Sequence, residues 1–175
     1  MIMNNKIILA KVMRILSKHK YKIYVDLDNV LADFDHGFEG RKPKSTKKMW
    51  KEVGEMGKDF WTDLKLMPGA KELWNYLEKY NPIILSAHPN PRNGEKMVKE
   101  AIKGKREWLA KHFDESVAKK AIIKTRAEKI NHASANSILI DDLLINIIEF
   151  NKAGGKGIHH SSTKKTIAKL KKLGL

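Results

Sequence analysis

The chain has no cysteine, which excludes disulfides, thiolate nucleophiles and cysteine-built zinc sites. It has no apolar run approaching the roughly 20 residues that a bilayer-crossing helix requires, so no membrane segment is expected. Acidic residues are missing from both ends. Residues 1–22 carry Lys6, Lys11, Arg14, Lys18, Lys20 and Lys22 without an acid, and residues 152–175 carry seven lysines without one. Those ends hold thirteen of the 35 basic residues, so the body between them sets 22 basic against all 20 acidic residues and is close to neutral.

What is present describes one globular domain. At 175 residues, with 42% hydrophobic and 31% charged, the chain is neither a disordered tail nor a membrane protein. Its length allows a core that buries roughly 68–70% of the unfolded surface. The formal charge of +15 can attract a polyanion or steer anionic small molecules, so weak nucleic-acid binding through the ends is one expectation. The simpler one is two amphipathic helices with lysine-rich solvated faces. Ile7, Ile8, Val12, Ile15 and Leu16 fall near helical spacing, as do Ile167, Leu170 and Leu173. The first stretch is as basic as a targeting peptide but lacks its serine and arginine richness and a cleavage site. Residues 1–20 are therefore read as a basic helix packed on or extending from the core. A reducing cytoplasm is compatible with the missing thiols and is the expected location.

Five short apolar runs read as strands: Lys22–Asp26, Pro82–Ser86, Ala121–Lys124, Ser137–Asp141 and Lys156–His159. Helical periodicity fills most intervals. Ala70–Tyr80 follows a Pro68-Gly69 turn, Glu95–Phe113 carries Met97, Val98, Ala101, Ile102, Trp108 and Leu109, and Leu143–Ala153 stops at Gly154-Gly155. Isoleucine- and valine-rich strands alternating with helices predict an α/β fold, a mainly parallel five-stranded sheet with helices on both faces. Residues 35–68 break the alternation with basic runs, glycines and Trp50, Phe60 and Trp61, and read as a small cap between core segments 21–34 and 69–175. Ligands of such sheets lie beyond the carboxyl ends of the strands.

Those ends carry the polar residues. The first strand runs into Asp26-Leu27-Asp28-Asn29-Val30-Leu31-Ala32-Asp33-Phe34, and the fourth into Asp141-Asp142. Paired carboxylates at the end of a buried strand need a counter-charge. Mg²⁺ would supply one, since it takes a few carboxylate oxygens together with water and phosphate oxygens. The second strand ends in Ser86-Ala87-His88, placing a hydroxyl at the same edge, and Arg126-Ala127-Glu128-Lys129 after the third offers a cation.

In that order, Asp-x-Asp-x-Val, a strand-end Ser, a Lys and Asp-Asp resemble the haloacid dehalogenase (HAD) superfamily of phosphohydrolases. Asp26–Phe34, Phe60-Trp61…Leu64…Pro68-Gly69-Ala70 and Leu139–Asp142 are similar to its 5'(3')-deoxyribonucleotidase branch. The likeness spans about residues 22–160. Asn29 stands where that branch usually has Gly, and Ser86 where it often has Thr. Lys124 also flanks the third strand, although Lys129 fits the pattern better. The resemblance implies a Rossmann-like HAD fold with Asp26 as nucleophile and Asp28 as acid and then base. It implies Mg²⁺ held by Asp26, the Asp28 carbonyl and Asp142, with Asp141 in support, and Ser86 and Lys129 on phosphoryl oxygens. The implied substrate is a phosphate ester, a nucleoside monophosphate. Ser86, Ala87, His88 and Lys129 would contact it, and Phe34, Phe60 and Trp61 would offer aromatic faces to the base. His159 and His160 are read as capping a strand or facing solvent. The alternatives are a phosphatase of nucleic-acid ends and a catalytically silent nucleic-acid-binding protein on the same scaffold.

Overall fold

The structure, a computed structural model, describes residues 21–38 and 45–175. The expected helix over residues 1–20 and the lid residues Arg41, Lys42 and Lys44 lie outside the described residues. Strands β1 (Lys22–Val25), β2 (Ile83–Ala87), β3 (Ile122–Lys124), β4 (Ser137–Asp141) and β5 (Lys156–His159) form one sheet in the order β3-β2-β1-β4-β5. Every pairing is parallel. The chain winds outward from β1 through β2 to β3, then returns to the other side of β1 for β4 and β5. The switch point therefore lies between β1 and β4, where a crevice opens beyond the strand ends.

Burial explains the choice of strand residues. Ile23, Tyr24 and Val25 are all buried, as a central parallel strand covered on both faces requires. Ile23 and Val25 join the larger core with Ile138, Ile140, Leu73 and Trp108, while Tyr24 and Leu139 turn to the opposite face with Leu85 and Phe150. The period of two in a pleated strand produces this division.

Helices occupy the connections: α1 (Thr46–Met56), α2 (Lys58–Thr62), α3 (Ala70–Leu77), α4 (Glu95–His112), α5 (Glu115–Lys120), α6 (Leu144–Lys152) and α7 (Thr163–Lys172). The expected helix over Ala70–Tyr80 ends as α-helix at Leu77 and tightens into a 3-10 turn over Glu78–Tyr80. Helix α5 begins at Asp114, whose side chain accepts from the Ser116 and Val117 amides; six residues are too few for a periodicity to register in the sequence. Between β1 and α3, α1 and α2 form the insertion, with Gly57 at φ 61° separating them. Among the described residues, no helix is long and apolar enough to cross a membrane.

Helix α2 rests on α4 through Gly104. A Cβ there would come within 2.6 Å of Trp61 Cβ and 2.9 Å of the Lys58 carbonyl oxygen, so only glycine permits the approach. Trp61 and Phe60 are thereby buried against the body, and Trp108 on the next turn donates to the Leu64 carbonyl at 2.7 Å.

Candidate active site

Register brings the two acidic pairs together. Tyr24 pairs with Leu139 and Val25 with Ile140, and the Asp26 amide donates to the Ile140 carbonyl at 2.9 Å. The next residues on the two strands are Asp26 and Asp141. Asp26, Asp141 and Asp142 each offer a carboxylate oxygen, all within 4.8 Å of one another. Lys129, from the 3-10 turn Arg126–His132 after β3, sits between two of them: its Nζ is 3.0 Å from Asp26 Oδ2 and 2.6 Å from Asp141 Oδ2. Lys124 is exposed, so the lysine in the site is Lys129.

Each acid has a different environment. Asp26 is buried and accepts from the Leu27 amide through Oδ1 at 2.8 Å. Asp141 is fully buried and saturated: Asn146 Nδ2 donates to both its oxygens at 2.9 Å, the Leu143 amide to Oδ1 and Lys129 to Oδ2. Asp142 receives one long bond from Asn29 Nδ2, at 3.3 Å. Burial, followed by the charges of Asp26 and Asp141, pushes its carboxyl up to about 7. Burial and the Asp26 charge also raise Asp141. On Lys129, burial acts to lower the pKa, but Asp26 and Asp141 outweigh it and raise the ammonium above its usual range. One ammonium thus serves three converging carboxylates. The deficit in positive charge falls on Asp142, whose oxygens are freer than those of Asp141. An all-oxygen donor set short of positive charge fits a hard divalent cation, with Asp26 and Asp142 as holders and Asp141 committed to the protein.

Asp28 is held by a second lysine. Its Oδ2 accepts from Lys105 Nζ at 2.6 Å, while Oδ1 is buried with no hydrogen-bond partner among the described residues. Burial raises its pKa and Lys105 opposes that. Lys105 also donates to Ser86 Oγ at 2.9 Å and to the Ala87 carbonyl at 2.7 Å.

Above these groups lies a cavity of about 490 Å³, lined by Asp26, Asp28, Lys129 and Asp142 at its floor. Phe34, Met49, Trp50 and Trp61 form an apolar side, and Ala87, His88 and Arg126 contribute to the rest. Asp26, Asp28, Lys129, Asp142, Ala87, His88, Phe34 and Trp61 therefore line one cavity. Three expected residues stand apart from the wall. Phe60 packs between Phe34, Phe38 and Trp61, with ring centroids 5.0–5.3 Å away, in the seam between insertion and body. It is not among the residues that line the cavity, so it supports the aromatic wall without forming it. Ser86 is fully buried beneath the floor, its hydroxyl engaged by Lys105. Asp141 lies behind Asp142 and reaches the site through Lys129. His159 is not a solvent-facing residue: its ring donates through Nε2 to the Asp142 carbonyl at 2.8 Å, steadying that loop. His160 is buried against Thr166.

The sequence reading missed Lys105, Asn146 and Asn29. Lys105 carries a readable signal, because it falls four residues after Ala101 and four before Leu109, on the buried stripe of α4. A lysine there has to be paired. Asn146 lies in the first turn of α6 and carried no such signal.

No family model and no curated protein matches the chain. Among solved structures, a HAD-superfamily hydrolase from Ehrlichia chaffeensis is similar at 14% identity with a TM-score of 0.50, over 88% of this chain and 97% of that one. A hydrolase from Streptococcus pneumoniae TIGR4 aligns at 14% identity with a TM-score of 0.46, over 88% of this chain and 98% of that one. At such identity the likeness is one of architecture: the five-stranded parallel sheet and its flanking helices have the fold of a HAD-superfamily hydrolase.

Proposed function

We propose that the chain is a Mg²⁺-dependent phosphomonoesterase that works through an aspartyl-phosphate on Asp26, with a nucleoside or deoxynucleoside monophosphate as its substrate. The observation that carries this reading is the convergence of Asp26, Asp141 and Asp142 within 4.8 Å, with Asp26 and Asp142 at the floor of a cavity that Lys129 and Asp28 also line. Mg²⁺ held by Asp26, Asp142 and the Asp28 carbonyl would neutralise phosphoryl charge and orient the ester.

The chain's own groups perform the steps. An Asp26 carboxylate oxygen attacks phosphorus, the ester P–O bond breaks, and the departing oxygen takes a proton from Asp28. Water then attacks the same phosphorus, loses a proton to Asp28, and releases inorganic phosphate with the Asp26 carboxylate restored. The raised pKa of Asp28 suits this duty, since a carboxyl held above its ordinary range is a better proton donor near neutrality. Lys129 holds Asp26 in place and presents positive charge to incoming phosphoryl oxygens. Trp61, Trp50 and Phe34 offer an apolar wall for a planar base, and the insertion excludes water from the floor. A cavity of about 490 Å³ suits a mononucleotide.

The purified protein should release phosphate from p-nitrophenyl phosphate, lose that activity in EDTA and regain it with Mg²⁺. Asp26→Asn should abolish turnover while circular dichroism stays unchanged; turnover retained in that variant removes Asp26 as nucleophile. A panel of nucleoside monophosphates and a terminally phosphorylated oligonucleotide, run at several salt concentrations, tests the substrate. Preference for the oligonucleotide with a steep salt dependence would favour a phosphatase of nucleic-acid ends.

A further inference from the structure

Residues 152–175 carry seven lysines and no acid, and the last acid before them, Glu149, is already paired with Arg126 at 2.7 Å. Lysines on other helices find glutamates: Lys51 meets Glu55 on α1, Lys58 of α2 and Lys103 of α4 meet Glu107, and Lys96 meets Glu100. On α7, Lys164, Lys165, Lys171 and Lys172 are exposed and in no ion pair among the described residues. At about 100° per residue these four and Lys169 share an arc of about 160°. Thr163, Thr166 and Leu170, on the opposite side, are buried. A hollow of about 330 Å³ opens between this helix and edge strand β5, lined by Lys156, Lys169 and Lys172 together with Gly155 and Gly157. Lys156 and Lys169 donate to the Ala135 and His159 carbonyls, both at 2.9 Å. A neutral acceptor leaves their charge uncancelled.

We propose that the face formed by α7 and β5 binds the phosphate backbone of duplex nucleic acid without reading its sequence. Charge complementarity selects a polyanion, and three further observations select which one. A helix that lies on a membrane buries its apolar side at the acyl boundary, whereas the apolar side of α7, with Ile167, Leu170 and Leu173, is packed against the core. Binders of single strands stack bases on aromatic rings, and residues 151–175 contain no Phe, Trp or Tyr. They contain no Arg either, so the planar fork that reads guanine is missing and only the point charges of lysine meet the phosphates. The face is separate from the cavity above Asp26, and its role does not depend on the chemistry proposed there.

Fluorescence anisotropy of the full chain tests this, using two DNA duplexes of about 20 base pairs and unrelated sequence. Hydroxyl ends on the duplexes and EDTA in the buffer keep the cavity out of the measurement. Four phosphate contacts correspond to a slope of about −3.6 in log affinity against log salt, a loss of roughly 100-fold between about 50 and 200 mM NaCl. The wild type should bind both duplexes alike with at least that slope. Replacing Lys164, Lys165, Lys171 and Lys172 together by Gln should weaken binding more than roughly 10-fold at the low salt and take about 3 to 4 off the slope. A control that replaces the exposed Lys99, Lys111, Lys119 and Lys120 of α4 and α5 by Gln changes the net charge equally and should weaken binding by no more than about threefold. Should the α7 variant fail to fold by circular dichroism, Lys171→Gln with Lys172→Gln is read in its place and should take about 2 off the slope. An α7 variant that binds like wild type, a control that falls as far, or a strong preference between the two duplexes would overturn the proposal. So would tighter binding to the single strand, or to phosphatidylserine vesicles, than to the duplex.

Discussion

Replacing Asp142 with asparagine should make the metal-free protein more stable while ending the metal-dependent activity proposed for it. Asp142 is held in the fold with a carboxyl pushed from 3.8 to about 7 by burial and by Asp26, Asp141 and Asp28, with the Asn29 amide pulling the other way. For an acid, a raised folded pKa is a penalty that is absent below the unfolded value, grows as the pH climbs from about 4 to 7, and is constant above. At 1.36 kcal/mol per unit it reaches about 4 kcal/mol at pH 8 and about 2 kcal/mol at pH 5.5. Asparagine carries no charge, matches the shape and keeps an oxygen for Asn29 Nδ2, so the variant should recover most of that energy. At roughly 2–4 °C per kcal/mol for a chain of this size, its melting temperature in EDTA should exceed wild type by about 8–16 °C at pH 8 and by about half as much at pH 5.5. Burial lowers the pKa of His112, His132 and His160, a contribution that costs both proteins alike as the pH falls below 6.5, and the raised carboxyls of Asp28 and Asp141 act in the opposite sense in both. The difference between the two curves therefore isolates Asp142. Mg²⁺ at pH 8 should raise the wild-type melting temperature and shrink the gap. An asparagine variant that melts below wild type in EDTA, or whose advantage is the same at both pH values, would refute the charge-deficit argument.

Two further substitutions test the frame around the site. Gly104→Ala would drive a methyl to 2.6 Å from Trp61 Cβ and 2.9 Å from the Lys58 carbonyl oxygen. A urea titration should show a net loss of about 1–2 kcal/mol, the overpacking cost outweighing the better helix propensity of alanine, and phosphate release should fall as Trp61 moves off Lys105. Asn29 has φ 54° and bonds through its side chain to Asp35 and Asp142. Asn29→Ala should cost about 1–2 kcal/mol from the left-handed backbone, whereas Asn29→Gly should cost less because only the side-chain bonds are lost. Equal losses in the two variants, measured by denaturant melts, would show that backbone strain is not what selects asparagine there.

Much of the frame was readable because it depends on local periodicity. Ser137–Asp141 and Lys156–His159 match the expected strands residue for residue, and the others shift by a residue or so at their ends. β1 stops at Val25 because Asp26 turns its carboxylate onto the Leu27 amide. The acidic pairs were readable for a related reason: carboxylates directly following buried apolar strands stand out wherever they occur. What stayed hidden is what each side chain turns toward. Phe60 and Trp61 are adjacent in sequence, yet α2 turns Trp61 to the cavity and Phe60 into the seam, and composition does not distinguish a wall from its support. Ser86 was read as a hydroxyl at a strand end, whereas its oxygen points into the body and meets Lys105, 19 residues further along.

From the sequence alone follow the strands, their parallel arrangement and the presence of acids at their carboxyl ends, because these depend on residue type and on spacings of two and of three to four. The tertiary structure alone decided that Asp26 stands beside Asp141, that Asp142 is left with the unbalanced charge, and that a lysine from α4 holds Asp28. Each of these depends on strand register or on the approach of helices distant in sequence, where an ångström of displacement changes which oxygen meets which nitrogen.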